Sequence, residues 1–567
     1  MYVTAVPNRG AKPTILRRES YREEGKVKSR TLANLTRLPE HAIEAVRRAL
    51  DGEALVSAQE AFEVESSEQH GHVEAVLTAM RKLGFEALLS SRPCRERDIA
   101  LAMIAARIIE PGSKLETTRA WKTTSLPTEL GVADAEEDDL YDAMDWLLAR
   151  QPDIEKKLAA RHLKPGGLVL YDLTSTWVEG KACPLASSGY SRDGKRGKLQ
   201  INFGLLTDDE GRPITTTVYA GNTADPSTVQ EQVAKLKAEY KLDHVIFVGD
   251  RGMVTETQID RFLVQGGVEW ITAVRSGGIQ KLKSEGSLQL GLFDDRNLFE
   301  FASPSYPGER LVACRNPDLA EHRRKKRDSL IEATRADIEK IQLMIARGSL
   351  VDKAEIGLRV GRIIDKHNVA KHFKIEIKDR ELHYRVRTDR VEREASIDGI
   401  YVIRTSVPAD VVSADDAVRH YKRLTRVERA FRSLKTLSLH VRPIYHHTES
   451  RVRAHIFLCM LAYYVEWHMR RAWAPLLFTD EVDRSVTRDP VAAATPSRAA
   501  RRKAATKKAA DGSVLHSFST LITHLSAIVR NHCRRKGATN AEPRFEMTTR
   551  PDPTHRRAIK LLESCSQ

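Results

Sequence analysis

The chain has 567 residues, more than one ordinary hydrophobic core holds, so three or four structural units are expected. Its formal net charge of +15 points to a polyanionic partner such as nucleic acid. The six cysteines are scattered with no CxxC pair and no Cys/His metal spacing, and no stretch reaches the roughly 20 apolar residues that span a bilayer, which argues for a reducing, cytoplasmic setting and against a cysteine zinc module or a membrane protein.

In chain order, Tyr2 to about Leu38 alternates and turns at Glu24-Gly25, which predicts a basic β-hairpin. Val73, Val76, Leu77, Met80 and Leu83 lie at helical spacing up to Gly84, and Ile99 to Ile109 is a second apolar helix stopped by Pro111-Gly112. The helical pattern runs on to about Arg161. At Gly166 the texture becomes α/β: LVLYD reads as a strand covered on both faces, followed by INFGLL and ITTTVYAG as strands. A crossover helix (Ser227 to Tyr240), the strand HVIFVGD, a helix from Thr255 to Gln265 and the strand WITAVR complete a mixed sheet.

Between about Ser276 and Ser396 the pattern is expected to leave the sheet. A charged helix carries the stripe Leu330, Thr334, Ile338, Ile341 and Ile345, and HFKIEIKDRELHYRVRTD alternates like a strand pair. DGIYVIRTS returns to strand character, and a helix spans Ala414 to about Thr436. Ala492 to Gly512 is a basic low-complexity linker, and a helix around Phe518 to Val529 closes the fold. The expected divisions are a hairpin-plus-helical DNA-binding and oligomerisation region (1–160), a core in two parts (161–275 and 397–470), an inserted α+β subdomain (276–396) and a basic, helical C-terminal region (471–567).

Three carboxylates stand out. Asp172 and Asp250 end two apolar strands, and Glu428 lies on the basic helix YKRLTRVERAFRSLK. Cutting a phosphodiester needs an activated nucleophile and charge relief at the leaving oxygen, which two Mg²⁺ ions held by carboxylate oxygens supply. Tyr421, Glu428 and Lys435 are seven residues apart and share a face of a regular helix, with Arg432 one turn after Glu428. Leu424, Val427, Phe431 and Leu434 face the other way for packing.

At these residues the chain resembles the DDE transposases of bacterial insertion sequences, in the group whose third acid lies in a Tyr…Glu…Lys helix; the likeness runs from about Gly166 to Val465. It implies an RNase H-like mixed-sheet core interrupted by an inserted subdomain. It also implies that Asp172, Asp250 and Glu428 bind two Mg²⁺, with Mn²⁺ as a substitute, and that Tyr421 and Lys435 contact transposon-end DNA. Arg432, Arg423, Arg426, Lys195 and Arg196 are further candidates for double-stranded DNA, both terminal inverted repeats and target. The resemblance implies a homodimer or larger oligomer on DNA, associated with the bacterial nucleoid. Two departures stand out: Leu424 occupies the position three after the Tyr where the group often has Arg, and 276–396 contains no Trp, on which some members stack a flipped base when they form a DNA hairpin.

Other readings of the same residues exist. Asp172 and Asp250 suit turn caps, and Glu428 suits an i,i+4 pair with Arg432. Asp138, Asp142 and Asp145 read as a solvated helix start, Asp225-Pro226 as a helix N-terminus, and His446-His447 as a loop near DNA. Rival functions are an RNase H-like nuclease or resolvase without strand transfer, and a DNA-binding relic without catalysis.

Overall fold

The computed structural model describes residues 1–53, 61–195, 197–260, 267–478, 491, 498–509, 511–536 and 543–565, with only the backbone at 11, 437 and 499. The expected DNA contact at Arg196, part of the 255–265 helix and part of the 492–512 linker lie outside them. The chain forms two compact units: Met1–Glu68 with Val529–Arg550, and Gln69–Ile528 with Pro551–Gln567. The division falls at residue 68, not at the expected 160.

In the first unit, β1 (Tyr2–Asn8), β2 (Ala11–Glu23) and β3 (Lys26–Asn34) make an antiparallel sheet, one strand more than the expected hairpin. Glu24 and Gly25 both take positive φ, 50° and 77°, as a tight two-residue turn requires. After a helix at Glu40–Leu50, β4 (Phe62–Gln69) joins two strands from the far end of the chain, Val529–Arg535 and Phe545–Thr548. Arg534 reaches Glu63 at 2.5 Å, and Arg544 reaches Glu65 at 2.6 Å. The expected closing helix is therefore not the end of the fold: Phe518–Leu525 is followed by these two strands and by a helix at Pro553–Leu562.

The second unit is built on one sheet. Its strands are β5 (Leu168–Trp177), β6 (Gln200–Asp208), β7 (Pro213–Ala220), β8 (Ile246–Val248), β9 (Glu269–Ala273), β10 (Leu298–Phe301) and β11 (Arg310–Arg315). They are joined later by β14 (Ile400–Thr405), after the separate hairpin of β12 (Phe373–Lys378) and β13 (Glu381–Val386). The spatial order is β10-β11-β14-β9-β8-β5-β6-β7, with β5, β8 and β9 parallel and the other neighbours antiparallel. β5 and β8 are central, and this is why their sequences are near-continuous apolar runs.

The expectation that 276–396 leaves the sheet is corrected by β10 and β11, which extend it beyond β14. What departs is the stretch between β11 and β14: helices Pro317–Ala346, Lys353–His367 and Thr388–Ala395 with the β12–β13 hairpin. This lobe has its own core, with Ile338, Ile341, Ile356, Val360, Phe373 and Leu382 buried together. Its ends meet: Asn316 N–H donates to the Gly399 carbonyl at 2.9 Å, and Arg315 pairs with Ile400 across the sheet. Gly399 is required there, since at φ +74° a Cβ would lie 2.3 Å from the Asn316 carbonyl oxygen.

The helices before the sheet pack into the same core. Gly71–Lys82, Arg95–Ile109 and Glu137–Ala149 surround the helix Glu449–Ala472, which is buried over nearly its whole length and also lies against β7. A boundary at 160 would cut through this shared apolar core, so the chain does not divide there.

Candidate active site

The strand register brings Asp172 and Asp250 together. β5 and β8 are parallel, the last registered pair is Leu170 with Val248, and each aspartate lies two residues beyond it. With a side-chain period of two, both carboxylates emerge on the face of that last pair. Across the antiparallel pair, Asp172 is opposite Leu205 and Thr174 opposite Phe203, so Phe203 marks the same face. The helix Leu424–Arg432 covers that face: Val427 and Phe431 are buried, and Phe431 meets Phe203 edge to face at 5.6 Å. Glu428, next to Val427 in sequence, is exposed at the rim.

Electrostatics confirm the convergence. Burial pushes the Asp172 carboxyl up to about 7, with Asp250 adding to the rise and Glu428 contributing less, while Leu173 N–H and Arg192 oppose it. Burial likewise pushes the Tyr421 phenol up to about 12, with further contributions from Asp250, Asp172 and Glu428. One phenol and three carboxylates thus share one field. Among the described residues none of the three carboxylates forms an ion pair. A set of hard oxygen donors that repel one another and that no side-chain cation among the described residues pairs with directly, Arg192 easing the repulsion only from a distance, fits divalent cations.

The turn-capping reading holds for Asp250 and not for Asp172, which lies inside β5 where no turn follows it. Asp250 Oδ1 accepts from Gly252 N–H and Met253 N–H, both at 2.8 Å, and Asp172 Oδ1 accepts from Leu173 N–H at 2.8 Å. One oxygen of each is tied to backbone, which fixes the carboxylate plane. The expected pair of Glu428 with Arg432 is absent among the described residues.

The basic candidates divide by what they touch. Lys435 does not present its ammonium beside Glu428. The helix steps at Arg423 and widens into a π-helical turn over Ser433–Leu437, so the seven-residue spacing no longer keeps one face. Lys435 is buried and binds Asp193 at 2.9 Å, where Arg442 also binds at 2.6 Å. Arg423 reaches Asp209 in the β6–β7 turn at 2.6 Å, and Arg426 donates to the Asp209 carbonyl. Arg432 is exposed, and so is Lys195, whose ammonium lies 5.3 Å from the Trp177 ring centroid.

Sequence reasoning missed the anchor Asp193, which reads as the ordinary Asp of an exposed Asp-Gly turn. The loop carrying it is fastened at several points: Arg192 N–H donates to Ser175 Oγ at 2.8 Å, the Arg192 guanidinium pairs with Asp225, and Gly221 N–H donates to the Leu185 carbonyl at 3.0 Å. Asp225 thus serves as an ion-pair partner. Asp145 pairs with Arg451 at 2.9 Å, and His446 packs against His455 with ring centroids 5.0 Å apart. Asp193→Asn strands the buried Lys435 and leaves the half-buried Arg442 unpaired, and is expected to cost about 3 kcal/mol of stability, read by chemical denaturation.

No helix among the described residues is long and apolar enough to cross a membrane. No curated protein sequence matches the chain. A solved structure, a piggyBac transposase synaptic complex with hairpin DNA, is similar at 9% identity over 70% of this chain and 72% of that one, with a TM-score of 0.34. Residues 168–465, from the first residue of β5 into the Glu449–Ala472 helix, match the family model of the transposase DDE domain. Residues 4–82 match that of the IS1634 family transposase N-terminal domain. The chain belongs to the DDE transposases of insertion sequences and is a DNA transposase.

Proposed function

We propose that Asp172, Asp250 and Glu428 are the acids that hold two Mg²⁺ ions, or Mn²⁺ in their place, for cutting transposon ends and joining the resulting 3′ hydroxyl to target DNA. The observation that carries this is the register of β5 against β8, which sets Asp172 and Asp250 side by side under the helix of Glu428. The strand order β7-β6-β5-β8-β9, three antiparallel strands followed by two parallel ones, supports an RNase H-like core. When bound, the ions supply charge relief at the phosphodiester and lower the pKa of the attacking hydroxyl.

The protein's own groups do the positioning. Gly252 and Met253 N–H hold Asp250, and Leu173 N–H holds Asp172, so neither carboxylate reorients when DNA arrives. The Tyr421 phenol stays protonated through neutral pH and can donate to a phosphate oxygen. Arg432 and Lys195, both exposed, are suited to follow the DNA backbone, and Lys435 and Arg442 instead hold the 190s loop in place through Asp193. The basic N-terminal sheet is suited to terminal inverted repeats, and two or more copies pair the ends at the nucleoid.

The test is Mg²⁺-dependent cleavage and strand transfer on labelled DNA bearing the element's ends, native protein against Asp250→Ala. Loss of both reactions with DNA binding retained is the expected result. Cleavage without joining in the native protein would instead indicate a nuclease.

A further inference from the structure

Arg192 is a cation beside the acid site with no part yet in the reaction. β5 runs on past its last pairing with β8 at Leu170, and Arg192 is fastened to that onward stretch: its N–H donates to Ser175 Oγ at 2.8 Å, three residues beyond Asp172. Its neighbour Asp193 is gripped at 2.9 Å by Lys435, from the turn that follows the helix of Glu428. Arg192 is therefore tied, directly or through the next residue, to both elements that bring Asp172 and Glu428 together. In keeping with that placing, it offsets part of the rise at the Asp172 carboxyl.

The guanidinium is held but not used up. Asp225 takes both of its contacts from Nη2, with Oδ2 at 2.5 Å, and among the described residues the N–H groups on Nε and Nη1 have no partner. An arginine–carboxylate pair that served structure alone would gain most from a two-nitrogen fork. Here the carboxylate fixes the group through one nitrogen and leaves the other donors open, on a side chain that is 22% exposed. The support is also stiff. A Cβ at Gly189 would lie 2.1 Å from the Gly221 carbonyl oxygen, so the 190s loop docks backbone to backbone on the turn that leads to Asp225. A fixed guanidinium with free donors beside paired acids suits the oxygens of a phosphate, on which charge is redistributed as phosphorus changes partners.

We propose that Arg192 donates from Nε or Nη1 to a non-bridging oxygen of the phosphate that is cut and rejoined, with Asp225 as the positioning residue that orients it. This rests on the acid-site reading given above and adds to it a protein cation fixed at the same phosphate. No bond to the protein forms or breaks; the contact holds the phosphate and relieves its charge. In sequence Arg192 is one cation of a basic turn, and only its contacts with Ser175 and Asp225, both distant in the chain, single it out.

The experiment binds full-length protein, in chelator and without metal, to DNA bearing the element's ends, with either an ordinary phosphate or an uncharged methylphosphonate at the cleaved position. Native protein and Arg192→Gln are compared in a double cycle, so that repulsion between the acids and the phosphate, common to both proteins, cancels. The methylphosphonate should raise Kd by about tenfold more, relative to ordinary phosphate, in native protein than in Arg192→Gln, and a methylphosphonate one nucleotide away should show no such difference. With Mg²⁺, Arg192→Gln should slow single-turnover cleavage of ordinary DNA by about 10²-fold. Arg192→Lys, which keeps the charge and loses the fork, should give about threefold coupling and serves if Arg192→Gln does not fold. A loss of affinity equal on both DNAs, as a merely structural arginine would give, overturns the proposal, and so does equal coupling at the neighbouring phosphate. Because the cycle is read without metal, it is separable from the acids: coupling in a protein whose cleavage survives Asp250→Ala would sink the acid-site reading and leave Arg192 in place.

Discussion

Asp172→Asn and Glu428→Gln should each lower end cleavage and strand transfer by at least about 10³-fold, the several kcal/mol that charge relief at phosphorus is worth. The two variants should nevertheless part company in stability. Asp172 carries a carboxyl raised to about 7 by burial and by Asp250, so the folded state holds its proton more tightly than the unfolded chain, where the value is near 3.8. A raised carboxyl penalises folding once both states are ionised, that is above pH 7, and the penalty fades as pH falls from 7 towards 4. Replacing it by the neutral amide should therefore stabilise metal-free protein at pH 8, by about 1–4 kcal/mol, and should remove the stabilisation that Mg²⁺ gives the native protein. Glu428 is exposed, so its amide should leave metal-free stability within about 0.5 kcal/mol of native. Melting curves with and without Mg²⁺ at pH 8 check both; a destabilised Asp172→Asn would mean that burial and Asp250 do not raise the Asp172 carboxyl.

The second large effect is a loss of stability on mild acidification. Burial pushes the imidazoles of His72, His162 and His420 down to about 4 and those of His446 and His468 to about 3, and it holds His455 well below its ordinary value. Neighbouring cations deepen several of these shifts, Lys114 and Arg107 at His446 and His455, and Arg212 at His162 and His468. A histidine depressed in the folded state takes up its proton first in the unfolded chain, so stability is lost as pH falls from 6.5 towards 4. Asp172, Asp208 and Glu155, all raised by burial, act in the opposite direction over part of that range. The histidines outnumber them, and the net loss is expected to be about 3–4 kcal/mol per pH unit between pH 6 and 5. Denaturant midpoints measured at pH 7, 6 and 5 should fall steeply; a flat series would place these rings in contact with water.

The legible parts of the sequence were those where one local pattern decides the outcome. β5 and β8 are covered on both faces and therefore read as apolar runs, but only Asp250 stands at a strand end. β5 continues through Asp172 to Trp177, and its second half, Leu173 to Thr176, is buried although it is mostly polar, so the sequence marks the acid and misjudges where the strand stops. The turn at Glu24-Gly25 and the buried stripe of Thr334, Ile338 and Ile341 were equally plain. What escaped depends on partners distant in the chain. β10 and β11 are short and gain their place only through β14, about ninety residues later, and β4 pairs with the strand Val529–Arg535. Lys435 was misplaced for another reason. A seven-residue repeat keeps one face only on an unbroken α-helix, and the π-helical turn carries Lys435 inward to Asp193, an ion pair that no spacing rule predicts.

The meeting of Asn316 with Gly399 has a consequence for how this protein can change. β11 and β14 are adjacent antiparallel strands paired up to Arg315 and Ile400, so the whole lobe between them occupies the place of a hairpin loop. A loop of any size can be grafted at such a point without disturbing the register of the strands that feed it. All three acids lie outside the lobe. Its helices and surface charge are thus free to diverge from one element to the next, while the strands that set Asp172 beside Asp250 stay as they are.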